Sequence, residues 1–180
     1  MKKLFAAVGL IFGFCLSTNP AFADLSIKAF EGVWEGSAIS ENSNSELFPV
    51  SVRDMDVEVR LLDQGKFALK WRTVQRQKGA IDNPTEVLRE TERVYVPEPG
   101  KSYWAAEKSG NPLKGDYTSW AVMAGQTLTV YSMAIRENGT YDMLIYKRTL
   151  TGLNMKLEFS AFRNGKLRRT VTGTLIKTGK

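Results

Sequence analysis

The 180-residue chain has a single cysteine, Cys15, and no histidine. These absences exclude several chemistries. Beyond residue 23 there is no cysteine nucleophile, and nowhere can a Ser-His-Asp triad form. Histidine-ligated zinc and a histidine pH switch are excluded as well. Lacking a pair of cysteines, the chain must take its stability from burial and backbone hydrogen bonding rather than from disulfides. Long apolar runs are equally scarce: after residue 23, none reaches the roughly 20 residues that a helix needs to cross a bilayer. No cofactor fingerprint, metal-ligand cluster or helix-period segment stands out in that stretch.

The first 23 residues have a different character. Lys2 and Lys3 form a positive start, Leu4 to Leu16 is apolar apart from two glycines, and Asn19-Pro20 breaks any helix. Ala21-Phe22-Ala23 is then an A-x-A cleavage site. This is the layout of a cleavable secretory signal, residues 1–23, with cleavage after Ala23. Cys15 reads as part of the apolar core, because Phe14 fills the small-residue position that a lipoprotein signal requires. The expected product is one domain, 24–180, periplasmic or secreted. Its length suffices for a hydrophobic core.

Loss of Lys2 and Lys3 lowers the net charge from +6 to +4. The remaining charge is uneven. Residues 152–180 hold seven basic side chains against Glu158 alone, whereas 24–151 is slightly acidic. Arg163, Lys166, Arg168 and Arg169 are therefore candidates for a basic surface facing an anionic envelope. The plainer reading is a solvated strand face. Nucleic acid is not an expected partner outside the cytoplasm.

What does recur is a run rich in Val, Thr, Tyr, Phe and Trp followed by a glycine turn, the pattern of antiparallel β structure. Strands are expected at Phe30–Ser40, Ser51–Leu62, Phe67–Val74, Arg89–Val96, Tyr103–Glu107 and Thr118–Met123. Four more follow at Thr127–Arg136, Tyr141–Leu150, Met155–Phe162 and Leu167–Ile176, with Asn138-Gly139 and Asn164-Gly165 as hairpin turns. Gly79 to Pro84 reads as a loop. Alternation marks an inner and an outer face: Met155, Leu157, Phe159 and Ala161 oppose Lys156, Glu158 and Ser160. Thr127 to Ile135 is apolar on both faces, so its outer side needs a cover. With no helix to shield an open sheet, the expected fold is all-β, an up-and-down antiparallel barrel of about 8–10 strands.

Three groups of side chains invite a chemical reading. Asp54, Asp56 and Glu58 share one strand face but lack the joining loop of a calcium site, so a solvated face is the better account. Glu86, Glu90 and Glu92 have the residue type for glycoside hydrolysis, yet Arg89 and Arg93 beside them point to surface ion pairs. Trp71, Tyr103, Trp104, Tyr117 and Trp120 are the aromatics of the middle section, and the last four sit near predicted loops, where they can serve a barrel mouth or simply fill a core. Asn138-Gly139-Thr140 fits a glycosylation sequon, but the hairpin turn accounts for it.

The first mature strand reads Phe30-Glu31-Gly32-Val33-Trp34-Glu35-Gly36. A Gly-x-Trp on the first strand of an up-and-down barrel resembles the lipocalins and related calycins. The resemblance implies that Trp34 packs across the closed end beneath a basic residue of the last strand, with Arg168 or Arg169 in that role. The chain also looks like an uncharacterised group of exported bacterial proteins with an N-terminal Trp-x-Gly strand. The expected function is non-enzymatic: a barrel holding a small apolar or amphipathic molecule, lined by Trp34, Trp71, Tyr103, Trp104, Tyr117 and Trp120, with no cofactor and no metal. The alternative is an envelope structural protein whose barrel is filled by its own side chains and whose basic C-terminal strands face a partner. An enzyme working through carboxylates, Tyr or Lys ranks third.

Overall fold

The computed structural model describes residues 25–46, 49–76 and 86–180; the leader and the Gly79–Pro84 loop lie outside them. Ten strands follow in order: β1 (Gly32–Asn42), β2 (Val50–Leu61), β3 (Phe67–Arg76), β4 (Glu86–Pro97) and β5 (Tyr103–Ala106). The second half contributes β6 (Thr118–Ala124), β7 (Thr127–Ile135), β8 (Tyr141–Thr151), β9 (Asn154–Arg163) and β10 (Lys166–Gly179). Each pairs antiparallel with its neighbours in the chain, and β1 pairs with β10 to close the barrel. Closure leaves no terminal strand unpaired, although β5 covers β4 only over Tyr95–Pro97.

Local chemistry accounts for the turns. At Asn164-Gly165 both residues have positive φ, 48° and 74°, as a two-residue hairpin requires. At Asn138-Gly139 only the glycine does, with φ 77°. There the Asn138 side chain instead accepts hydrogen bonds from the Thr140 amide at 3.1 Å and hydroxyl at 2.7 Å. The closing seam depends on small residues: a Cβ at Gly36 would lie 2.3 Å from the Thr174 carbonyl, and one at Gly173 2.6 Å from the Ala38 Cβ. Any larger side chain at either position would push β1 and β10 apart.

One end of the barrel is sealed. The Leu25 amide donates to the Gly125 carbonyl at 3.0 Å, tying the segment before β1 to the β6–β7 turn. A single 3-10 turn, Ile27–Phe30, then places fully buried Phe30 at that end. Trp34 donates from Nε1 to the Phe30 carbonyl at 2.9 Å. Above this floor lie Val57, Val59, Phe67, Leu69, Leu128, Val130, Met155 and Leu175, all fully buried. Each such side chain stabilises the fold by roughly 1.5–3 kcal/mol relative to exposure. The apolar outer side of β7 is also covered. The 3-10 turn Pro112–Lys114 lies against it, and Trp120 stacks on Tyr131 at 5.2 Å.

Candidate functional site

Strand alternation that fills the floor with aliphatic residues places arginines higher in the barrel. Along β2 the inward positions run from Val59, Val57 and Met55 to Arg53; along β4 they run from Tyr95 to Arg93; along β10 from Leu175 and Val171 to Arg169. On β8, Arg148 sits between Leu150 and Tyr146 on the inward side, opposite Leu128 and Leu157. It is only 1% exposed.

These cations surround an aromatic wall. The Arg93 and Arg148 guanidiniums each lie 5.4 Å from the Trp71 ring centre. Arg148 is also 5.8 Å from the Tyr146 ring, and Arg169 lies 5.5 Å from Phe159. Tyr146 packs on Trp71 at 5.2 Å and on Phe159 at 4.7 Å. Between them is a cavity of about 100 Å³ bordered by Arg53, Trp71, Tyr146, Arg148, Phe159 and Arg169. Tyr146, Phe159 and Arg169 also border a wider cleft of about 530 Å³ at the barrel mouth, with Tyr117, Arg136, Asp142 and Arg163 on its rim. Cavity and cleft thus share a boundary.

The polar groups differ in how they are satisfied. Arg93 donates to the Ser132 hydroxyl at 2.8 Å, and Ser132 donates to Ser119, which also lies 3.1 Å from the Tyr95 hydroxyl. Asp142 is held at 2.8 Å by the Nε of both Arg136 and Arg163. Burial alone would raise the Asp142 pKa, but these two hydrogen bonds outweigh it and hold the carboxyl below its ordinary value. By contrast, Arg148 Nε and Nη1, Arg53 Nε and Arg169 Nε are buried without a hydrogen-bond partner among the described residues. Burial pushes Arg148 down to about 10, with Tyr95 and Tyr146 acting against that shift. Arg53 is lowered by burial and then by the nearby positive charges of Arg169 and Arg89.

The residues expected from sequence separate by location. Trp71 lines the cavity and Tyr117 the mouth cleft. Trp34 lies in the floor, and Trp104 beside it donates to the Gly65 carbonyl at 3.1 Å and meets Phe67 edge-on. Tyr103 and Trp120 share the outward side of β5 and β6, so the structure does not bring them to the cavity. Arg163 and Arg168 border the mouth cleft, Lys166 is exposed in the β9–β10 hairpin, and Arg169 turns inward over Phe159.

The cation over Trp34 is Lys177, at 5.5 Å, rather than Arg168 or Arg169. The reason is register. β10 continues past Ile176 to Gly179, which places Lys177 opposite Trp34, while Arg169 lies opposite Asn42 at the other end of β1. Asp56 and Glu58 pair on the outer face with Arg72 and Arg60, and Glu90 pairs with Lys70. No group of three acidic, histidine or cysteine side chains suited to a metal occurs among the described residues. No helix among them is long and apolar enough to cross a membrane.

Arg148, Arg53, Tyr146 and Asp142 carried no expectation from the sequence, and Arg93, expected in a surface ion pair, instead turns inward onto Ser132 and over Trp71. A signal was present for Arg53 and Arg148, which fall on the apolar side of their strands' alternation, but not for Arg93, which shares its side of β4 with Arg89 and Thr91.

The sequence matches no family profile, and no curated protein matches it. Solved structures do match. One is a DUF3598-family protein of unknown function from Nostoc punctiforme, with a TM-score of 0.60 at 11% identity over 90% of this chain. The match spans 53% of that protein, so this chain corresponds to about half of it. Rv2717c from M. tuberculosis has a TM-score of 0.52 at 9% identity, covering 84% of this chain and 96% of its own. The S-type phycobiliprotein lyase CPES from Guillardia theta gives 0.42 at 10% identity, covering 87% and 94%. At such identities the likeness is one of backbone path alone.

Proposed function

We propose that this chain is an exported, non-enzymatic binding protein that takes a small amphipathic molecule into its barrel through the mouth. The observation that supports this reading is the aromatic cavity beneath the mouth cleft, with Tyr146, Phe159 and Arg169 bordering both spaces. The floor is packed with aliphatic side chains and sealed by Phe30 and Trp34, whereas the upper barrel holds open space against Trp71 and Phe159. Concave, largely apolar sites with a few polar groups are where small ligands bind. Trp71 and Tyr117 are the sequence-derived residues proposed to touch the ligand; Trp34 and Trp104 are proposed to support the floor.

Native mass spectrometry of residues 24–180, purified gently from the periplasm, tests the reading. A co-purifying molecule at one per chain supports it and names the ligand class. A bare protein mass, together with no fluorescence gain from the neutral dye N-phenyl-1-naphthylamine, rejects it. A second reading is favoured by the rim position of Arg168 and exposure of Lys166. In that reading the mouth end rests on an anionic envelope surface. Salt-sensitive binding to phosphatidylglycerol vesicles supports it, and binding unaffected by salt opposes it.

A further inference from the structure

Most polar groups inside the barrel have partners. The Arg93 guanidinium meets serine hydroxyls, and Asp142 is engaged by Arg136 and Arg163. The cavity is different. Three of its bordering side chains, Arg53, Arg148 and Arg169, have buried N–H groups with no acceptor among the described residues. Arg148 is the most enclosed, at 1% exposure. No carboxylate among the described residues borders this cavity. A buried guanidinium lacking a counterion is costly, and a buried donor lacking an acceptor is rare enough to require a cause. An anion in the cavity supplies both the charge and the acceptors.

We infer that the cavity seats one anionic group, a carboxylate, phosphate or sulfonate, on Arg148 with Arg53 and Arg169 beside it, while the rest of the molecule lies along Phe159 and Tyr146 toward the mouth. This rests on the reading of the barrel as a container and adds the charge of its content. The ligand class is then a small amphipathic acid with an apolar or aromatic body. Trp71 contributes to the cavity wall, and its ring already carries the Arg148 cation. The ligand body therefore meets Phe159 and Tyr146 more directly.

Two dyes that differ in one sulfonate test the inference. The probes are 1-anilinonaphthalene-8-sulfonate and the neutral N-phenyl-1-naphthylamine, titrated into residues 24–180. The native protein is expected to prefer the sulfonate by about tenfold or more, the scale of one charge-assisted hydrogen bond. Arg148→Met is expected to remove that preference by weakening sulfonate binding about tenfold, with the neutral dye little changed. Equal affinity of the native protein for both dyes, or a preference that survives Arg148→Met, overturns the inference. Binding of neither dye is the separate failure of the container reading. If Arg148→Met does not fold, Arg169→Gln makes the same comparison from the cavity wall. Lys166→Gln is the rim control: a loss as large as that of Arg148→Met moves the anion to the surface and overturns the inference. Displacement of the sulfonate by free decanoate assigns the seat to soluble amphiphiles. Displacement by phosphatidylglycerol vesicles alone assigns it to a lipid headgroup, and displacement by neither overturns it.

Discussion

Arg148 is the side chain whose charge the fold tolerates least. Its pKa is pushed down to about 10 by burial, so the folded state disfavours the charged form. Such a group destabilises the protein in full below its folded pKa, and the penalty declines only as pH rises from that value toward the ordinary arginine one. Replacing it with a residue of similar length and no charge is therefore expected to help: Arg148→Met should raise unliganded stability by about 1–4 kcal/mol in urea unfolding at neutral pH. The advantage of the variant should hold at about pH 9 and begin to shrink above about pH 10. Asp142 carries the opposite sign. Its carboxyl is held low by Arg163 and Arg136 despite its burial, so its contribution is present above the ordinary carboxylate pKa and is lost as pH falls through the folded one. Asp142→Asn should cost about 1–2 kcal/mol at pH 7, a modest figure because both arginines are about half-exposed. Denaturation followed from about pH 5 to pH 2 should show a flatter acid limb in the variant than in the native protein.

At the scale of elements, the barrel is unevenly sewn. β5 faces β4 through three residue pairs and β6 through three, whereas β2 and β3 share nine and β3 and β4 ten. Local opening begins where few backbone hydrogen bonds hold. Amides of Tyr103–Ala106 are therefore expected to exchange with deuterium faster than those at the centres of β2, β3 and β9, and protection of β5 equal to that of β3 would contradict this. Strand positions were legible in the sequence because glycine turns and two-residue alternation are local signals: the expected Met155–Phe162 and Tyr141–Leu150 are nearly the observed β9 and β8. Register was less so. The register shift between Leu167 and Arg169 and the run of β10 beyond Ile176 depend on pairing with β9 and β1. Those pairings put Lys177 over Trp34 and Arg169 in the interior. The arginine seat was missed for a related reason: Arg148 in the apolar parity of β8 reads as an exception until the closed barrel shows that Arg53 and Arg169 reach the same cavity.

Across the whole molecule, the arginines of the cavity and its mouth gather at one end. The floor is aliphatic and aromatic, and Arg53, Arg136, Arg163, Arg168 and Arg169 stand in the upper half or at the mouth. Such a distribution attracts anions toward the opening before contact, over a distance of about 10 Å at 0.1 M salt. Stopped-flow association of the anionic dye should slow several-fold between about 0.02 M and 0.5 M salt. Arg148→Met, far below the rim, should leave that slope unchanged and act on dissociation. Arg163, Arg168 and Arg169 are close together along the chain, but Arg53 on β2 and Arg136 in the β7–β8 connection join them only through the fold. The sealed floor has a kinetic corollary. With Phe30 and Trp34 stopping the far end, arrival and departure through the mouth share one doorway. A newcomer cannot push an occupant out from behind, so turnover passes through an unoccupied vessel. The release rate should then be first order and indifferent to the concentration of competitor, and handing cargo to a receiver would require that receiver to meet the rim.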